Sequence, residues 1–487
     1  MSDEGLSPAD LGLPFPTWWP LQRETIFKIL GAFSGGARFV TLEAPPGSGK
    51  SGIAIGLARL LSVPTVVLTS TKTLQDQYTS GFGIPEIRGR SNFKCVIEPV
   101  MASAAPCTVG TKCHMQGVNG ADGCPYYDAK RGALEAPIYT TNYSYHLAES
   151  NYIGDFPPSE LVICDEAHNL QSHIRDFCTV PRPVGVAEDR VGLWATAYQE
   201  QATRMDGSGP GFQTREEKRK VQKARQYAAL LRMDAEWVIH QDKAIPVWVS
   251  PFLSRYFLSH AVPKTGKFLF ISATIGDPST FADELGIEKE NLTSFSVPSQ
   301  FPKSGRPIKY RSVGKVSATN EGSFARVSQE VERILADHVG ERGLVHTVSY
   351  ALSSFLKEAC SSPRLLFPTA STLAKDLAQY RATPDAVLVS PSVSTGVDLP
   401  YDLCRFQVIA KLPFPSLGDP VRREQGKTPR GKALSTRDTA QTFVQTYGRG
   451  MRAADDMCVT YLLDGNWQWF QRSAESEIPK YIMEAFT

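Results

Sequence analysis

Short apolar runs that end in small or polar residues recur along the chain. They are rich in β-branched and aromatic side chains, and they lack strict alternation, which is typical of strands buried on both faces of a parallel sheet. The predicted strands are 38–43, 65–69, 161–164, 268–271, 343–347, 386–390 and 406–410. Helical stretches such as 324–338 separate them. This alternation predicts an α/β fold with two parallel-sheet lobes, the first four strands in one lobe and the last three in the other.

Two stretches interrupt the alternation in the first lobe. Residues 93–130 hold four cysteines and show little periodicity, whereas residues 176–260 are predicted to be mainly helical. Six basic and two acidic residues in 215–225 suit either a face that follows phosphates or a solvated helix face. Four later aromatic residues could stack on bases, although such residues are more often core: Trp237, Trp248, Phe252 and Tyr256.

The composition limits both the class of protein and the cellular compartment that we expect. The 487 residues are enough for two or three domains, and a hydrophobic content of 42% is ordinary for a globular protein. Because 52 basic and 50 acidic residues leave a net charge of only +2, any nucleic-acid surface must be a local stripe. The N-terminal residues lack the features of a signal peptide, and no apolar segment approaches the roughly 20 residues of a membrane span. We therefore expect an intracellular, cytoplasmic protein without a membrane segment, associated with the nucleoid if its source is bacterial or phage.

We expect the four clustered cysteines to bind a metal, because in a reducing compartment such cysteines form metal sites more often than disulfides. Cys95, Cys107, Cys113 and Cys124 have 11, 5 and 10 residues between them, and none shows the two-residue spacing of a zinc knuckle. Four thiolates at irregular spacing suit a 4Fe-4S cluster, which needs four cysteine ligands. A zinc site with the same four ligands is the alternative. The other five cysteines are scattered, and we expect them to be packing residues.

Residues 44–51 read Ala-Pro-Pro-Gly-Ser-Gly-Lys-Ser, between a predicted strand and a predicted helix at 52–61. This is a phosphate-binding loop with alanine in place of the usual first glycine. Its glycines let backbone N–H groups approach phosphate oxygens at a helix N-terminus, while Lys50 would reach the β and γ phosphates and Ser51 would bind Mg²⁺. A chance glycine-rich turn is the alternative, which the flanking elements disfavour. The loop residues predicted to bind nucleotide are Pro46, Gly47, Ser48, Gly49, Lys50 and Ser51.

Two acidic residues, Asp165 and Glu166, directly follow the predicted strand 161–164. One carboxylate can hold Mg²⁺ through water while its neighbour orients and deprotonates the attacking water. Phosphoryl transfer needs both tasks at one strand end. The alternative, that both acids cap the next helix, is weakened by the phosphate-binding loop upstream.

Arg449 and Arg452 lie three residues apart, so they would share one face of a helix. Such arginines can cross from the second lobe to the γ phosphate and spread the charge of the transition state, as arginine fingers do. An exposed basic helix face is the alternative.

The order of these motifs, with the cysteines between the phosphate-binding loop and the acidic strand end, resembles the XPD/DinG family of superfamily 2 iron-sulfur DNA helicases. The resemblance spans nearly the whole chain. Its segments include 19–22 (similar to the Q motif), 69–77 (motif Ia), 165–168 (DEAH box), 272–274 (motif III), 343–350 (motif IV), 445–452 (motif VI) and the DinG-like phrase 411–415 followed by 419–420. Motif V at 394–398 departs from the family because Thr395 stands where glutamate is usual, although Gly396 and Asp398 match.

The resemblance implies roles for individual residues. For catalysis it implicates Lys50, Asp165, Glu166, Gln445, Arg449 and Arg452. ATP contacts outside the loop are implied for Gln22, Gly396 and Asp398, and Mg²⁺ contacts for Ser51 and Asp165. DNA contacts are implied for Thr71, Lys72, Gln75, Thr347 and Ser349. The four clustered cysteines are the implied ligands of the 4Fe-4S cluster.

It also implies two RecA-like lobes, with an iron-sulfur cluster insertion and a compact, mainly helical Arch-like insertion in the first. The expected bounds are 1–92, 131–175 and 261–300 for the first lobe, 93–130 for the cluster domain, 176–260 for the Arch-like domain and 301–487 for the second lobe. The implied activity is that of a monomeric ATP-dependent DNA helicase. It would move 5′ to 3′ on single-stranded DNA and open forked duplexes or DNA-RNA hybrids in repair or replication. Two alternatives stay open: a translocase that strips proteins or RNA from DNA, and an ATP-gated DNA-binding module that recruits partners.

Overall fold

The computed structural model of the chain describes residues 5–108, 113–117, 123–206, 215–258, 266–369, 371–391, 399–416, 418–450 and 456–487. The described strands are β1 (Phe39–Glu43), β2 (Thr65–Thr69), β3 (Ile138–Asn142), β4 (Leu161–Asp165), β5 (Val180–Pro181), β6 (Trp237–His240), β7 (Lys243–Pro246), β8 (Lys267–Ser272), β9 (Leu292–Ser296), β10 (Ile308–Tyr310), β11 (Gly343–His346), β12 (Leu365–Leu366), β13 (Val387–Ser390), β14 (Phe406–Ile409) and β15 (Val459–Leu462).

The described helices are α1 (Gln22–Ser34), α2 (Lys50–Leu61), α3 (Lys72–Phe82), α4 (Pro125–Glu135), α5 (Tyr143–Ala148), α6 (Leu170–Cys178), α7 (Val191–Asp206), α8 (Arg215–Leu231), α9 (Ser250–Leu253), α10 (Pro278–Leu285), α11 (Ser323–Asp337), α12 (Tyr350–Ala359), α13 (Leu373–Ala382), α14 (Pro420–Gln425), α15 (Pro429–Tyr447), α16 (Trp467–Ser473) and α17 (Lys480–Met483). Short 3-10 turns connect several of them. None of the helices within the described ranges is long and apolar enough to cross a membrane.

The first sheet has six parallel strands in the order β3-β2-β4-β8-β1-β9. Successive residues of the inner strand β2 are buried on opposite faces of the sheet. Val66 and Leu68 pack on one face, and Val67 packs on the other. Helices α1 and α2 cover the Val67 face, while α5, α6 and the insertion cover the opposite face. Burial on both faces explains why these strands are continuously apolar in sequence.

The second sheet also has six parallel strands, in the order β10-β15-β14-β11-β13-β12. Helices α11 and α12 pack on one face, and α15 to α17 pack on the other. The two predicted α/β lobes are therefore confirmed, and each of the seven predicted strands is present within one residue at either end. The sequence pattern does not reveal the inner strand β15 or the edge strands β3, β9, β10 and β12, which are short or partly exposed.

The described residues of the region 176–260 are mainly helical, as predicted, and they also include a small sheet that the sequence pattern does not reveal. Helices α7 and α8 pack against each other, and they stand beside an antiparallel sheet in the order β5-β7-β6. Strands β6 and β7 form a hairpin whose two turn residues, Gln241 and Asp242, have φ values of 47° and 57°. Two successive positive φ angles mark the turn type that joins tightly twisted strands, and Gln241 and Asp242 stand here in place of its usual Asn-Gly signal.

Candidate active site

The phosphate-binding loop connects β1 to α2 and contains two glycines in the left-handed region, Gly47 (φ 75°) and Gly49 (φ 73°). A methyl group at Gly49 would lie 2.0 Å from the side-chain nitrogen of Gln22, and one at Gly47 would lie 2.3 Å from the ring of Phe301. Only glycine satisfies both the backbone angle and the close approach. The loop thus ends at the N-terminus of α2, where backbone N–H groups and the helix dipole favour an anion.

Gln22 is buried and ties the start of α1 to this loop. Its amide oxygen accepts a hydrogen bond from the backbone nitrogen of Trp19 at 2.9 Å, and its amide nitrogen donates to the carbonyl of Gly49 at 3.1 Å. The side chain implied to bind ATP therefore lies directly against the loop. Lys50 reaches back over the same loop and donates to the carbonyl of Ala44 at 3.3 Å.

Asp165 and Glu166 lie at the carboxyl end of β4, on the strand next to β2 and β8. Burial, followed by the charge of Glu166, raises the pKa of Asp165 to about 6, while Lys50 acts in the opposite direction. Asp165 accepts hydrogen bonds from the hydroxyl of Tyr78 at 2.7 Å and from the backbone nitrogen of Glu166 at 2.9 Å. Glu166 has a φ of 50°, which is a strained backbone conformation for a residue other than glycine, and its side chain is partly exposed.

Tyr78 is a site residue that the sequence analysis does not single out. Its fully buried hydroxyl donates to Asp165 and is also hydrogen-bonded to Ser51, so it joins the two residues implied to hold Mg²⁺. Gln77 approaches the Ser51 hydroxyl from the same helix, with a donor to acceptor distance of 3.4 Å. The only sequence signal for Tyr78 is its position one residue after motif Ia, on the buried face of α3.

His168 links three motifs. Its Nδ1 lies 2.9 Å from the hydroxyl of Ser272 and 3.3 Å from a carboxylate oxygen of Glu166, and its Nε2 contacts the amide nitrogen of Gln445. Burial lowers the pKa of His168, which favours the neutral ring. An amide N–H donating to Nε2 leaves the ring proton on Nδ1, where it is donated toward Ser272 and Glu166. A side chain of the second lobe therefore reaches the acidic strand end of the first.

The end of α15 lies over the phosphate-binding loop. A methyl group at Gly448, in the 3-10 turn after α15, would lie 2.8 Å from the side chain of Pro46. Arg449 follows in the same turn, and its charge helps burial to lower the pKa of His346 to about 4. Gln445 and Gly448 are thus brought to the cleft between the lobes, with Arg449 next in sequence. Arg452, Gly396 and Asp398 lie outside the described residues.

The residues implied to contact DNA fall into two groups. Thr71 and Ser349 cap the N-termini of α3 and α12, accepting hydrogen bonds from the backbone nitrogens of Leu74 and Leu352. These caps occupy equivalent places in the two lobes, just after β2 and β11, and Lys72 is exposed beside the first.

Gln75 and Thr347 are instead fully buried. The amide of Gln75 donates to the carbonyl of Ile87 at 3.1 Å, and the hydroxyl of Thr347 donates to the carbonyl of Ser349 at 3.2 Å. Both side chains therefore hold the fold beneath the strand ends, and neither is presented on the surface.

Two residues just after β11 have an unusual backbone conformation or an unusual exposure. Val348 is a β-branched residue with a φ of 61°, a conformation that costs energy and recurs at ligand-binding loops. Tyr350 is 77% exposed beside it. Neither is singled out by the sequence analysis, since backbone strain and exposure are properties of the fold.

The four clustered cysteines are free thiols, with Cys107 and Cys124 buried and Cys95 and Cys113 half-buried. Among the residues with described positions, no three histidine, cysteine, aspartate or glutamate side chains are close enough together to hold a metal ion. The described arrangement therefore does not fit a cluster as it stands. Instead, Arg90 lies over the ring of Tyr126 at 4.2 Å and donates to the Cys107 sulfur at 3.7 Å.

The basic residues 218–220, 223 and 225 of α8 are exposed, although two of the arginines have partners within the fold. Arg219 donates to the carbonyl of Thr108 at 2.9 Å and so connects α8 to the cysteine segment, while Arg225 pairs with Asp206 at the end of α7. Phe252 and Tyr256 are buried in the first-lobe core. For these two residues the core interpretation therefore holds, and not the stacking on bases.

The site thus combines two parallel-sheet α/β lobes, a phosphate-binding loop in the first lobe and the turn at Gly448 of the second lobe lying against that loop. The Helicase_C_2 family, described as a helicase C-terminal domain, matches residues 333–485, and the DEAD_2 family matches residues 112–181. Two stretches of the chain therefore match helicase family models, and the fold as a whole resembles that of solved XPD helicases.

Individual relatives and solved structures are similar to parts or all of the chain. The probable ATP-dependent helicase MJ0942 of Methanocaldococcus jannaschii is 26% identical over 200 residues, which cover 34% of this chain and 31% of the relative. The chain thus spans about a third of the length of that curated relative. A solved XPD helicase matches with a TM-score of 0.67 at 15% identity, over 94% of this chain and 98% of that one. Xpd4 of S. tokodaii matches with a TM-score of 0.61 at 14% identity, over 96% and 99%. These two likenesses concern the fold.

Proposed function

We propose that this protein is an ATP-dependent DNA helicase that couples ATP hydrolysis to movement along single-stranded DNA. The observation that carries the proposal is the contact of the second lobe with the nucleotide site of the first, through Gly448 on Pro46 and Gln445 on His168. An ATPase whose site is completed by its second lobe can convert each hydrolysis cycle into opening and closing of the lobes.

ATP fits the loop because Gly47 and Gly49 leave no side chain between the backbone and an approaching phosphate. Mg²⁺ fits the neighbouring pair of oxygen donors, because the carboxylate of Asp165 is buried and the hydroxyl of Ser51 is joined to it through Tyr78. When bound, Mg²⁺ neutralises charge on the phosphates. Lys50 would bind the β and γ phosphates at the start of α2.

Glu166 would orient the attacking water and accept its proton, because its side chain is partly exposed while that of Asp165 is buried. Arg449 and Arg452 would spread the transition-state charge from the second lobe. The Gln445–His168–Ser272 chain would report the state of the phosphates to motif III, since Ser272 also accepts a hydrogen bond from the backbone nitrogen of Thr274 at 3.0 Å. Gly396 and Asp398 complete the proposed nucleotide contacts.

Single-stranded DNA would cross the carboxyl ends of the strands of both lobes. The equivalent caps at Thr71 and Ser349 support this, with Lys72 available for a phosphate and Tyr350 for a base. In this proposal the protein is a cytoplasmic monomer that moves 5′ to 3′ and opens forked duplex DNA or DNA-RNA hybrids during repair or replication. The lobe and insertion bounds at 92, 130, 175, 260 and 300 are part of the same proposal.

The cysteine segment would carry a 4Fe-4S cluster. Support comes from its four cysteines, from the match of the DEAD_2 family over 112–181, which includes Cys113 and Cys124, and from the weak regular structure of the segment. Binding would require the cysteines to move together, because their described positions form no metal site. No step of ATP hydrolysis depends on it.

A second candidate function is a translocase that strips proteins or RNA from DNA with little unwinding. The compact insertion, whose described residues form α7, α8, a small sheet and the short helix α9, favours it by offering little surface to hold a duplex. An ATP-gated recruitment module is the third candidate, and the presence of Lys50, Glu166 and Arg449 at the cleft argues against a site without turnover.

Steady-state ATP hydrolysis with and without single-stranded DNA is the first test. Stimulation by DNA is expected, whereas nucleotide binding without turnover would indicate the recruitment module. Strand displacement on forks with a 5′ or a 3′ tail then tests unwinding and polarity. Displacement of streptavidin from biotinylated DNA without duplex opening would assign the stripping translocase instead.

A further inference from the structure

One face of α15 contacts the first lobe along its whole length. The residues of this face recur at spacings of three or four, and all but Leu434, which lines a cavity beside Arg430, have a contact described below or above: Arg430, Leu434, Arg437, Gln441, Gln445 and, in the turn that follows, Gly448. We call this set the α15 stripe. It begins at the insertion and ends at the phosphate-binding loop, so a single helix of the second lobe joins the two.

The far end of the α15 stripe is held by Arg430. Its guanidinium lies 4.5 Å from the ring of Trp248 and donates to the hydroxyl of Ser250 at 3.2 Å and to the carbonyl of Asp283 at 3.1 Å. The neighbouring helix α14 adds a buried hydrogen bond, in which the amide of Gln425 donates to the carbonyl of Val247 at 2.7 Å. A cavity of about 170 Å³ adjoins Arg430, so this end has room to move.

The middle of the α15 stripe is a buried ion pair. Arg437 contacts the carboxylate of Glu284 on α10, and both side chains are more than 90% buried. The guanidinium also lies 5.1 Å from the ring of Phe281. One helical turn later, the amide of Gln441 donates to the carbonyl of Thr274 in motif III at 3.4 Å. A buried pair of this kind is directional and tolerates little displacement, so it fixes the position of α15 along the first lobe.

We propose that Arg437 is a positioning residue for ATP hydrolysis, because its ion pair with Glu284 sets how Gln445 and Arg449 approach the nucleotide. The contact of Trp248 with Arg430 attaches the insertion to the N-terminal end of α15. A displacement of the insertion is therefore transmitted through α15 to the ATP site. This inference rests on the proposed ATPase activity.

The test compares Arg437→Gln with the parent in DNA-stimulated ATP hydrolysis. A misplaced catalytic group costs rate more than ground-state binding, so we expect kcat to fall about tenfold to a hundredfold while KM for ATP stays within about twofold. Arg437→Lys keeps the charge and should recover most of the rate. Arg311→Gln is the matched control, because Arg311 pairs with Glu330 and Asp337 inside the second lobe, and it should keep the parent kcat.

Trp248→Ala and Arg430→Ala test the far end. Each should lower kcat several-fold with the same KM, although both residues are remote from the nucleotide. If Arg437→Gln turned over ATP at the parent kcat, or lost rate only in proportion to its folded fraction, the positioning role would be refuted. A parent protein without any ATP hydrolysis would instead remove the proposed function, so the two failures are distinguishable.

Discussion

Gly448 of the second lobe lies against Pro46 of the phosphate-binding loop, and a methyl group at Gly448 would approach the Pro46 side chain to 2.8 Å. This is tighter than ordinary carbon contacts, and Gly448 stands between α15 and Arg449. The absence of a side chain here is therefore a condition for bringing the two lobes together at the nucleotide site.

We expect Gly448→Ala to hold the lobes apart and to lower ATP turnover, by about tenfold if the displacement is a fraction of an ångström. Thermal stability should change little, since each lobe keeps its own core. Steady-state ATPase and a thermal melt measure the two effects. Gly81→Ala is the control, because a methyl group there meets nothing within 4 Å. Equal loss of activity in both variants would contradict the proposed contact.

Lys50→Ala and Glu166→Gln should each abolish DNA-stimulated ATP hydrolysis and leave single-strand binding largely intact. The reason is spatial: Lys50 and Glu166 lie at the cleft, whereas Thr71 and Ser349 cap helices at the strand ends. ATPase assays and fluorescence anisotropy with a labelled oligonucleotide measure the two properties. Turnover at the parent rate in either variant would show that the site is assigned to the wrong residues.

Arg449→Ala and Arg452→Ala should lower the rate of ATP turnover far more than ATP affinity, because arginine fingers act mainly in the transition state. A loss of about 10³-fold in kcat is the usual size of such an effect. Nucleotide affinity is measured separately with a fluorescent ATP analogue. A parallel loss of binding and rate would identify these arginines as ground-state phosphate contacts.

Anaerobically purified protein should be brown and contain about four iron and four sulfide per chain. Replacing Cys95, Cys107, Cys113 or Cys124 with serine should bleach it and loosen the segment 93–130, since so short a segment depends on its metal for a fixed fold. Basal ATPase should survive, because other strands build the ATP site, while unwinding fails. Cys360→Ser is the control and should keep colour and activity. Stoichiometric zinc without iron or sulfide would rule out the iron-sulfur assignment.

His146 should make stability depend on pH. Burial lowers the pKa of His146 to about 4 in the folded chain, against roughly 6.5 when unfolded. The unfolded chain therefore binds a proton that the folded chain does not, and stability falls as pH drops from 6.5 toward 4, by roughly 3 kcal/mol in total. Urea unfolding at pH 7.5 and 5 measures this effect, and between these two pH values His146→Leu should lose less free energy of unfolding than the parent. His240 is exposed, so His240→Asn should behave like the parent. If His146→Leu lost as much stability as the parent between pH 7.5 and 5, His146 would not be the source of the pH dependence.

The local parts of the site could be predicted from the sequence. The phosphate-binding loop occupies eight consecutive residues, and its glycines, Lys50 and Ser51 have one geometry wherever a strand precedes and a helix follows. The seven predicted strands are present for a similar reason, since burial on both faces imposes continuously apolar runs. Local patterns such as these carry their own structural signal.

Other features depend on residues far apart in the chain, and only the tertiary structure decided them. Tyr78 reaches the proposed Mg²⁺ site because its hydroxyl donates to Asp165, 87 positions away in sequence, and Gln75 is removed from the surface because Ile87 and Thr140 surround it. The pairing of Arg437 with Glu284 spans 153 positions of sequence. No local pattern encodes such contacts, because they form only when distant segments of the chain pack together and the free energy of burying polar groups selects their partners.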